Sequence, residues 1–408
     1  MDRQLIGVLK PMLEKDLGWN EIDYSNIVVS FQCAYAAGYL FAGRLIDRVG
    51  VRWGLGLALG FWSLFTMGHG LVRGVGGFAL ARFGLGLSEG GNFPGAVKAV
   101  SEWFPQKDRA FATGVFNAGS SIGAMMAPLF IPWIAVKFGW PMAFFFMGGL
   151  GLILCVLWSV LYASPETHKR VGPEELAYIR ADNGGVAEDA PPAASPGWFS
   201  LLKLKPTWAF LLGTLATSPV WWFYLFWIPD FLHKSHGVNV LKLGAPLFTI
   251  YLMSDLGSIL GGWLPMRLIS RNWSVQKARI TSMITCVAFV LPLLAVPSIG
   301  LWPAVVLIGL AAAAHQGWSA NLYTLVSDTM PKSAVSSVVG IGGMAGGIGG
   351  MFVAKGTGYI LEWTGSYYAL FLLAPVCYVL ALGAITLLTR HAFTPPPTSR
   401  GGDAAIAG

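Results

Sequence analysis

The sequence predicts an all-α polytopic membrane protein built as two helical bundles, and three observations carry that prediction. Hydrophobic residues make up 55% of the chain and charged residues 12%, with a mean hydropathy of +0.61, which lies outside the soluble globular class. Apolar runs of about 20 residues recur nearly without interruption, and in lipid a helix satisfies its own backbone polar groups, so helices rather than a barrel are expected. A single long polar stretch then divides the runs into two sets. The net charge of +7 is spread over alternate loops, where it sets topology and marks no nucleic-acid surface. Cys33, Cys155, Cys286 and Cys377 fall one per apolar segment, without CxxC spacing or nearby histidines, so they read as small core residues and no metal site is expected.

Taken in order, residues 1–19 are mixed in character, carrying Asp2, Arg3, Lys10, Glu14, Lys15 and Asp16. They do not resemble a cleavable signal peptide and are too short for a full span plus a loop, so they stay outside the predicted spans. Spans are placed at roughly 25–45, 53–72, 77–100, 110–136 and 141–162, then at 207–232, 245–264, 280–296, 301–326, 334–361 and 368–388. The chain therefore divides into an N-terminal bundle (1–162), a polar linker (163–205), a C-terminal bundle (206–390) and a disordered tail (391–408). Within the linker, Pro173–Arg180 is compatible with a short surface helix. Loops holding Arg48 and Arg52, Lys107 and Arg109, Lys169 and Arg170, and Arg267, Arg271 and Lys277 share one side, as do Lys332 and Arg390. The positive-inside rule places that side, with the linker and tail, in the cytoplasm.

Two stretches carry chemistry. In Phe78–Lys98, Arg82 and Glu89 lie deep in an apolar run, where an unpaired charge costs about 2.5–3.5 kcal/mol. Seven residues apart, they share a helix face but are separated by roughly 10 Å of rise, too far for a tight ion pair. A small anion and a proton fit between and around them, with Gly84, Gly86, Gly90 and Gly91 leaving the approach open and Pro94 weakening the helix beyond; an internal salt bridge is the alternative. The second stretch is Gly43-Arg-Leu-Ile-Asp47-Arg48-Val-Gly50-Val-Arg52, which recurs faintly as Gly262-Trp-Leu-Pro-Met266-Arg267-Leu-Ile-Ser-Arg271. Its glycines allow close helix approach while Asp47, Arg48 and Arg52 brace neighbouring helix ends, so it reads as a conformational latch; plain topology signalling is the alternative.

Gly43–Arg52 resembles the signature loop of the major facilitator superfamily. More narrowly, Ser88–Pro94, Glu102–Pro105, Ala112–Gly119, Ile122–Pro128 and Ala314–Asn321 together resemble the anion:cation symporter family, and within it the bacterial hexuronate transporters. The resemblance covers nearly the whole chain. It implies a fold of two pseudo-symmetric bundles and proton-coupled import of a sugar acid such as galacturonate or glucuronate, with aldonates and aldarates as alternatives. Carried over residue by residue, it implies anion and proton sites at Asp2, Arg3, Tyr35, Arg82 and Glu89. It also implies twelve spans, so the first helix is expected to be missing ahead of Asp2-Arg3; an internal start codon or a shortened, transport-inactive chain are both open.

The chemistry follows from coupled charges. A substrate carboxylate that takes Arg82 as its partner leaves Glu89 uncompensated and raises its proton affinity, so anion and proton bind together. Asp2 is a second proton carrier and Arg3 a second carboxylate contact. Hydroxyl selectivity needs neutral hydrogen-bonding groups and an aromatic wall, for which Asn117, Ser120 and Ser121 and, from the second half, Trp222, Tyr224, His315, Gln316, Ser319 and Asn321 are candidates. Trp221-Trp222 reads equally as an interfacial belt. The expected partners are a small organic anion and the lipid bilayer, with no nucleic acid, the protein acting as a monomer with protons as the coupling ion and no cofactor. An exporter of amphipathic compounds would show no paired Arg and Glu, and an enzyme or sensor would need a catalytic set or an appended domain, neither of which is visible.

Overall fold

The computed structural model describes residues 2–180, 198–330 and 332–390, and among the described residues it is helical with no β-strand. Helices α1 (Asp2–Leu17), α2 (Glu21–Val49), α3 (Val51–His69), α4 (Val75–Glu89), α5 (Asn92–Trp103), α6 (Gln106–Phe138) and α7 (Trp140–Leu161) precede the connector, which contains α8 (Pro173–Arg180) and α9 (Trp198–Leu201). Then come α10 (Lys205–His236), α11 (Gly244–Ile269), α12 (Val275–Val290), α13 (Leu301–Thr329), α14 (Lys332–Thr364) and α15 (Tyr368–Leu388). Seven helical segments among the described residues are long and apolar enough to cross a membrane. Helix α4 falls short of that measure because it is only 15 residues long.

Local chemistry sets the boundaries. Helix α2 opens with a capping box, in which the Asn20 side chain accepts from the Asp23 amide at 2.8 Å and the Asp23 carboxylate accepts from the Asn20 amide at 3.2 Å. It ends at Gly50, whose φ of +80° lets the chain turn directly into α3. The predicted span at 77–100 is two helices, because the chain breaks at Gly90-Gly91; Pro94 falls in the first turn of α5, where its missing N–H costs little. After Val290 the chain tightens into a 3₁₀ segment, Leu291–Ser298, whose Pro292 and Pro297 cannot donate the bonds an α-helix needs.

The first nineteen residues require a correction. The sequence leaves them outside the predicted spans, yet α1 forms there and buries Leu5, Ile6, Leu9 and Leu13 completely. Its charges lower its hydropathy without exposing it, since they are neutralised inside the protein. It lies so close to α10 that a Cβ on Gly7 would stand 3.1 Å from the Leu225 carbonyl oxygen. Outward faces elsewhere carry large apolar side chains such as Leu80, Val160, Phe352 and Leu387, as a lipid-facing surface does.

Helices α2–α7 pack chiefly on one another, as do α10–α15, and the two groups meet along α1–α10, α2–α14 and α6–α11. On a single face of α14, Gly358 abuts Ser25, Gly350 abuts Gln32 and Gly347 abuts Ala36, whereas Gly343 and Gly340, further toward the end that carries Arg48, meet no described residue within 4 Å. The seam is closed at the opposite end by a cluster of charges. Lys10, fully buried, donates to Glu14 at 2.8 Å, Glu21 at 3.0 Å and Asp230 at 2.6 Å. Lys234 bonds Glu14 at 3.1 Å and also reaches Glu21; Tyr367 donates to Asp230, and the Glu21 amide donates to Glu362 at 3.1 Å. Three carboxylates around two ammonium groups tie α1 and α2 to α10 and α14.

Replacing Lys10 with Met removes the nearest cation from the buried Asp230 carboxylate, leaving it the Tyr367 hydroxyl and Lys234 at 3.4 Å, and removing one partner of a buried ion pair costs up to about 3–5 kcal/mol. In an otherwise cysteine-free chain, Lys10→Met is therefore expected to speed the reaction of a cysteine at Ser25 with a membrane-impermeant thiol reagent supplied at the Lys10 end. An unchanged rate would show that the seam holds without this cluster.

Candidate functional site

Where the two groups of helices meet at mid-depth, α1, α2, α4 and α10 bring a second set of charges together. The Glu89 carboxylate is held by Arg3, whose Nη2 lies 2.7 Å and Nε 2.8 Å from Oε1, a geometry that uses the planar fork of the guanidinium. Aromatic rings surround that guanidinium: Tyr35 at 4.8 Å, Trp222 at 5.7 Å and Phe31 at 5.9 Å. Such contacts stabilise a desolvated cation by about 2 kcal/mol. Tyr35 and Trp222 also touch each other edge to face at 6.1 Å, so one ring from each group of helices closes the box. The Arg3 side chain is 28% exposed and that of Glu89 13%.

Arg82 is placed differently from its expected role. It is 1% exposed, packed against the other face of the site with its guanidinium 5.5 Å from the Phe31 ring. None of its three nitrogens has a hydrogen-bond partner among the described residues. The partner of Glu89 is thus Arg3 on α1 and not Arg82 one helix face away, in keeping with the 10 Å of rise between Arg82 and Glu89. Asp2 lies near enough to feel Arg82, Arg3 and Glu89, and its Oδ1 is buried without a partner among the described residues. An unpaired buried guanidinium next to a single salt-bridged pair leaves the site electropositive.

The glycines of α4 serve helix approach more than ligand approach. A Cβ at Gly90 would stand 2.7 Å from the Tyr39 amide nitrogen, and one at Gly86 would strike the Phe31 carbonyl and come within 3.0 Å of the Tyr35 amide nitrogen. The backbone of α4 therefore lies directly on that of α2, which fixes Glu89 against the rings of Phe31 and Tyr35. Gly84 likewise receives the Phe65 ring from α3.

Of the remaining candidates, Trp222 joins the Arg3 group and several others do not. His315 is buried inside the second group of helices, hydrogen-bonded to Tyr378, stacked on Trp221 at 5.3 Å, and 3.4 Å from the Ser319 hydroxyl. Tyr224, two residues beyond Trp222, points to the opposite face of α10, with its hydroxyl buried and without a partner among the described residues. Gln316 is half-buried on α13. Asn321, expected to read substrate hydroxyls, instead braces α13 on α11, donating to the carbonyls of Gly261 at 2.9 Å and Gly317 at 2.8 Å. The side chains of Asn117, Ser120 and Ser121 lie outside the described residues, as do those of Gly43 and Asp47. Of the latch residues, Arg48 and Gly50 are exposed, and Arg52 donates to the Ser159 carbonyl at 2.6 Å and 3.0 Å, capping the C-terminal end of α7. Lys10, Asp230 and Tyr367 were not singled out from sequence, although a lone aspartate in the run Trp227–Leu232 is the signal that points to them.

Three comparisons bear on this arrangement. The model of the family described as Major Facilitator Superfamily matches residues 1–354. The hexuronate transporter of Escherichia coli K12 is 31% identical over 95% of this chain and 90% of its own, and the galacturonate transporter of Dickeya chrysanthemi is 33% identical over 65% and 77%. A D-galactonate transporter of Escherichia coli O6:H1 is 28% identical over 95% of this chain and 92% of its own. Among solved structures, a bacterial homologue of the human lysosomal transporter Spinster superposes with a TM-score of 0.72 at 18% identity, covering 97% of this chain and 95% of that one. The nucleoside transporter NupG gives 0.72 at 13% identity, covering 95% and 96%.

The α2–α4 contact is testable. Gly86→Val forces the two backbones apart, an overpacking that costs about 1–3 kcal/mol. It is expected to lower the melting temperature in detergent and to weaken quenching of Trp222 fluorescence by its neighbours; wild-type values for both would mean the contact does not hold the box.

Proposed function

The chain belongs to the Major Facilitator Superfamily, and from that premise we propose that it imports a sugar-acid anion, a hexuronate such as galacturonate or glucuronate, by proton symport. The observation that carries this reading is the partly exposed Arg3–Glu89 pair, enclosed by rings from both groups of helices. A substrate carboxylate presents the same planar acceptor as Glu89 and competes with it for the Arg3 fork. Once displaced, Glu89 is a bare carboxylate at membrane depth beside an anion, and both neighbours favour its protonated form. Binding of anion and proton is therefore mutually favourable, and reciprocity requires each to tighten the other.

With both bound, the site has exchanged one internal ion pair for an external one plus a neutral acid. Charge exposed to the low-dielectric interior does not increase, which lets the two groups of helices rock about the site. Arg82, permanently cationic and sealed behind Phe31, holds the local potential positive through both halves of the cycle, and Asp2 offers a second place for a proton. In this reading the end bearing Arg48 and Arg52 faces the cytoplasm of a bacterium, together with the connector and tail, and the Lys10–Asp230 cluster faces outward. A second reading, transport of an aldonate, is supported by the similarity to a D-galactonate transporter. The carboxylate chemistry is common to both.

The test is uptake into proteoliposomes of a panel of hexuronates, aldonates and aldarates, with and without an imposed pH gradient. Uptake of one class that rises as the external medium is acidified supports the reading, and indifference to the gradient overturns proton coupling. Glu89→Gln is expected to abolish gradient-driven accumulation while preserving exchange of labelled for unlabelled substrate; loss of both would assign Glu89 a structural role. Arg3→Lys replaces a planar fork by a point charge and is expected to weaken substrate binding by about tenfold or more, since cation–ring stacking alone contributes about 2 kcal/mol when desolvated.

A further inference from the structure

Gln32 lies on α2 three residues before Tyr35, so its side chain is only about 60° around the helix from the ring that packs on Arg3. It is 2% exposed, and neither its Nε2 nor its Oε1 has a hydrogen-bond partner among the described residues. A primary amide can donate two hydrogen bonds and accept two, and leaving it unpaired in a low-dielectric interior is costly. Its surroundings explain where it points. A Cβ built on Gly350 of α14 would stand 2.9 Å from Cδ1 of Trp222 and 3.3 Å from Nε2 of Gln32, so the amide, the indole and the bare glycine converge on one spot. That spot adjoins the aromatic box around Arg3, through Trp222, on the side of the α2–α14 seam.

We propose that Gln32 reads a hydroxyl of the transported sugar acid, with the bare backbone of Gly350 letting its amide and the Trp222 indole lie directly against α14. The assignment rests on the sugar-acid reading above and deepens it: Arg3 holds the carboxylate, and Gln32 supplies the neutral donor and acceptor that a polyhydroxylated carbon requires at some distance from it. An amide suits this task because it accepts from and donates to hydroxyls without adding charge to a site where charge is already coupled to the proton. Position on the seam adds a consequence. When α2 and α14 part, Gln32 leaves Gly350, so a hydroxyl bound between them favours the arrangement in which the seam is closed.

The experiment measures counterflow in proteoliposomes with galacturonate and with monodeoxy analogues that each lack one hydroxyl, for the wild type, Gln32→Leu, Gln32→Asn and Gly350→Ala. Wild-type protein that takes up no sugar acid would refute the underlying reading and leave Gln32 aside. Given wild-type uptake, Gln32→Leu is expected to raise KM for galacturonate about tenfold with kcat within twofold, and to leave KM unchanged for the one analogue lacking the hydroxyl it reads. Gln32→Asn, which withdraws the amide by one methylene, should fall between the two, and Gly350→Ala should raise KM for every ring-form substrate. Equal KM increases for all analogues, or none, would overturn the proposal. A structural role makes the opposite prediction for stability: removing an unpaired buried amide leaves the melting temperature unchanged or raised, whereas a marked fall in Gln32→Leu would show that the amide holds the fold and would also overturn it.

Discussion

A charge placed at membrane depth must be paired, hydrogen-bonded or neutralised, and that constraint organises this molecule more than any packing preference. The protein meets it twice. Near mid-depth Arg3 and Glu89 neutralise each other inside a ring of aromatic side chains, and toward one end Lys10 and Lys234 are matched against Glu14, Glu21 and Asp230. Both clusters contain residues of α1, and the outer one and the aromatic box also join the two groups of helices. Their energetic worth is therefore conditional on the groups lying together. An ion pair that spans a moving boundary stabilises one arrangement and not the other, so the same contacts that hold the structure also bias its equilibrium.

Among the described residues both clusters leave a buried carboxylate oxygen unpaired, Asp230 Oδ1 in the outer one, but only the inner one also holds a cation without a partner. Lys10 has three carboxylate partners, while Arg82 has none among the described residues. Asp2 and Glu89 each keep one buried oxygen unpaired close by. Fully satisfied networks rigidify a fold; partly satisfied ones are costly to keep unless they are used. The outer cluster accordingly reads as a fastening, and the inner one as a place where a solute completes the pairing.

Much of the architecture was legible from hydropathy, because long apolar runs leave a helix little choice in lipid. The break within 77–100 was signalled by Gly90-Gly91, yet Pro94 drew the attention; the paired glycines end α4 and the proline is tolerated in the first turn of α5. Helix α1 was not among the predicted spans because its charges lower its hydropathy, and only the fold shows that Lys10 faces Asp230, some 220 positions along the chain. Spacing on one helix correctly kept Arg82 out of contact with Glu89, but nothing local points to Arg3, 86 positions away, which only the family resemblance brought to the same site. Asn321 was misread for a related cause, since an amide in a membrane helix signals a hydrogen bond without saying whether a ligand or a neighbouring helix accepts it.

Helix α2 is 29 residues long with no proline inside it, hence a rod of about 44 Å. It carries Glu21 at one extremity, Tyr35 and Gln32 near its centre, and Arg48 at the other. Its close backbone contact with α4, from Phe31 beside Gly86 to Tyr39 beside Gly90, lies by that centre. Treated as a seesaw, a tilt of about 10° displaces each tip by about 4 Å in opposite senses, comparable to the whole reach of an ion pair, while the middle scarcely moves. One stiff rod can thus undo the fastening at its far tip and shift the basic tip the other way without disturbing the rings about which it pivots.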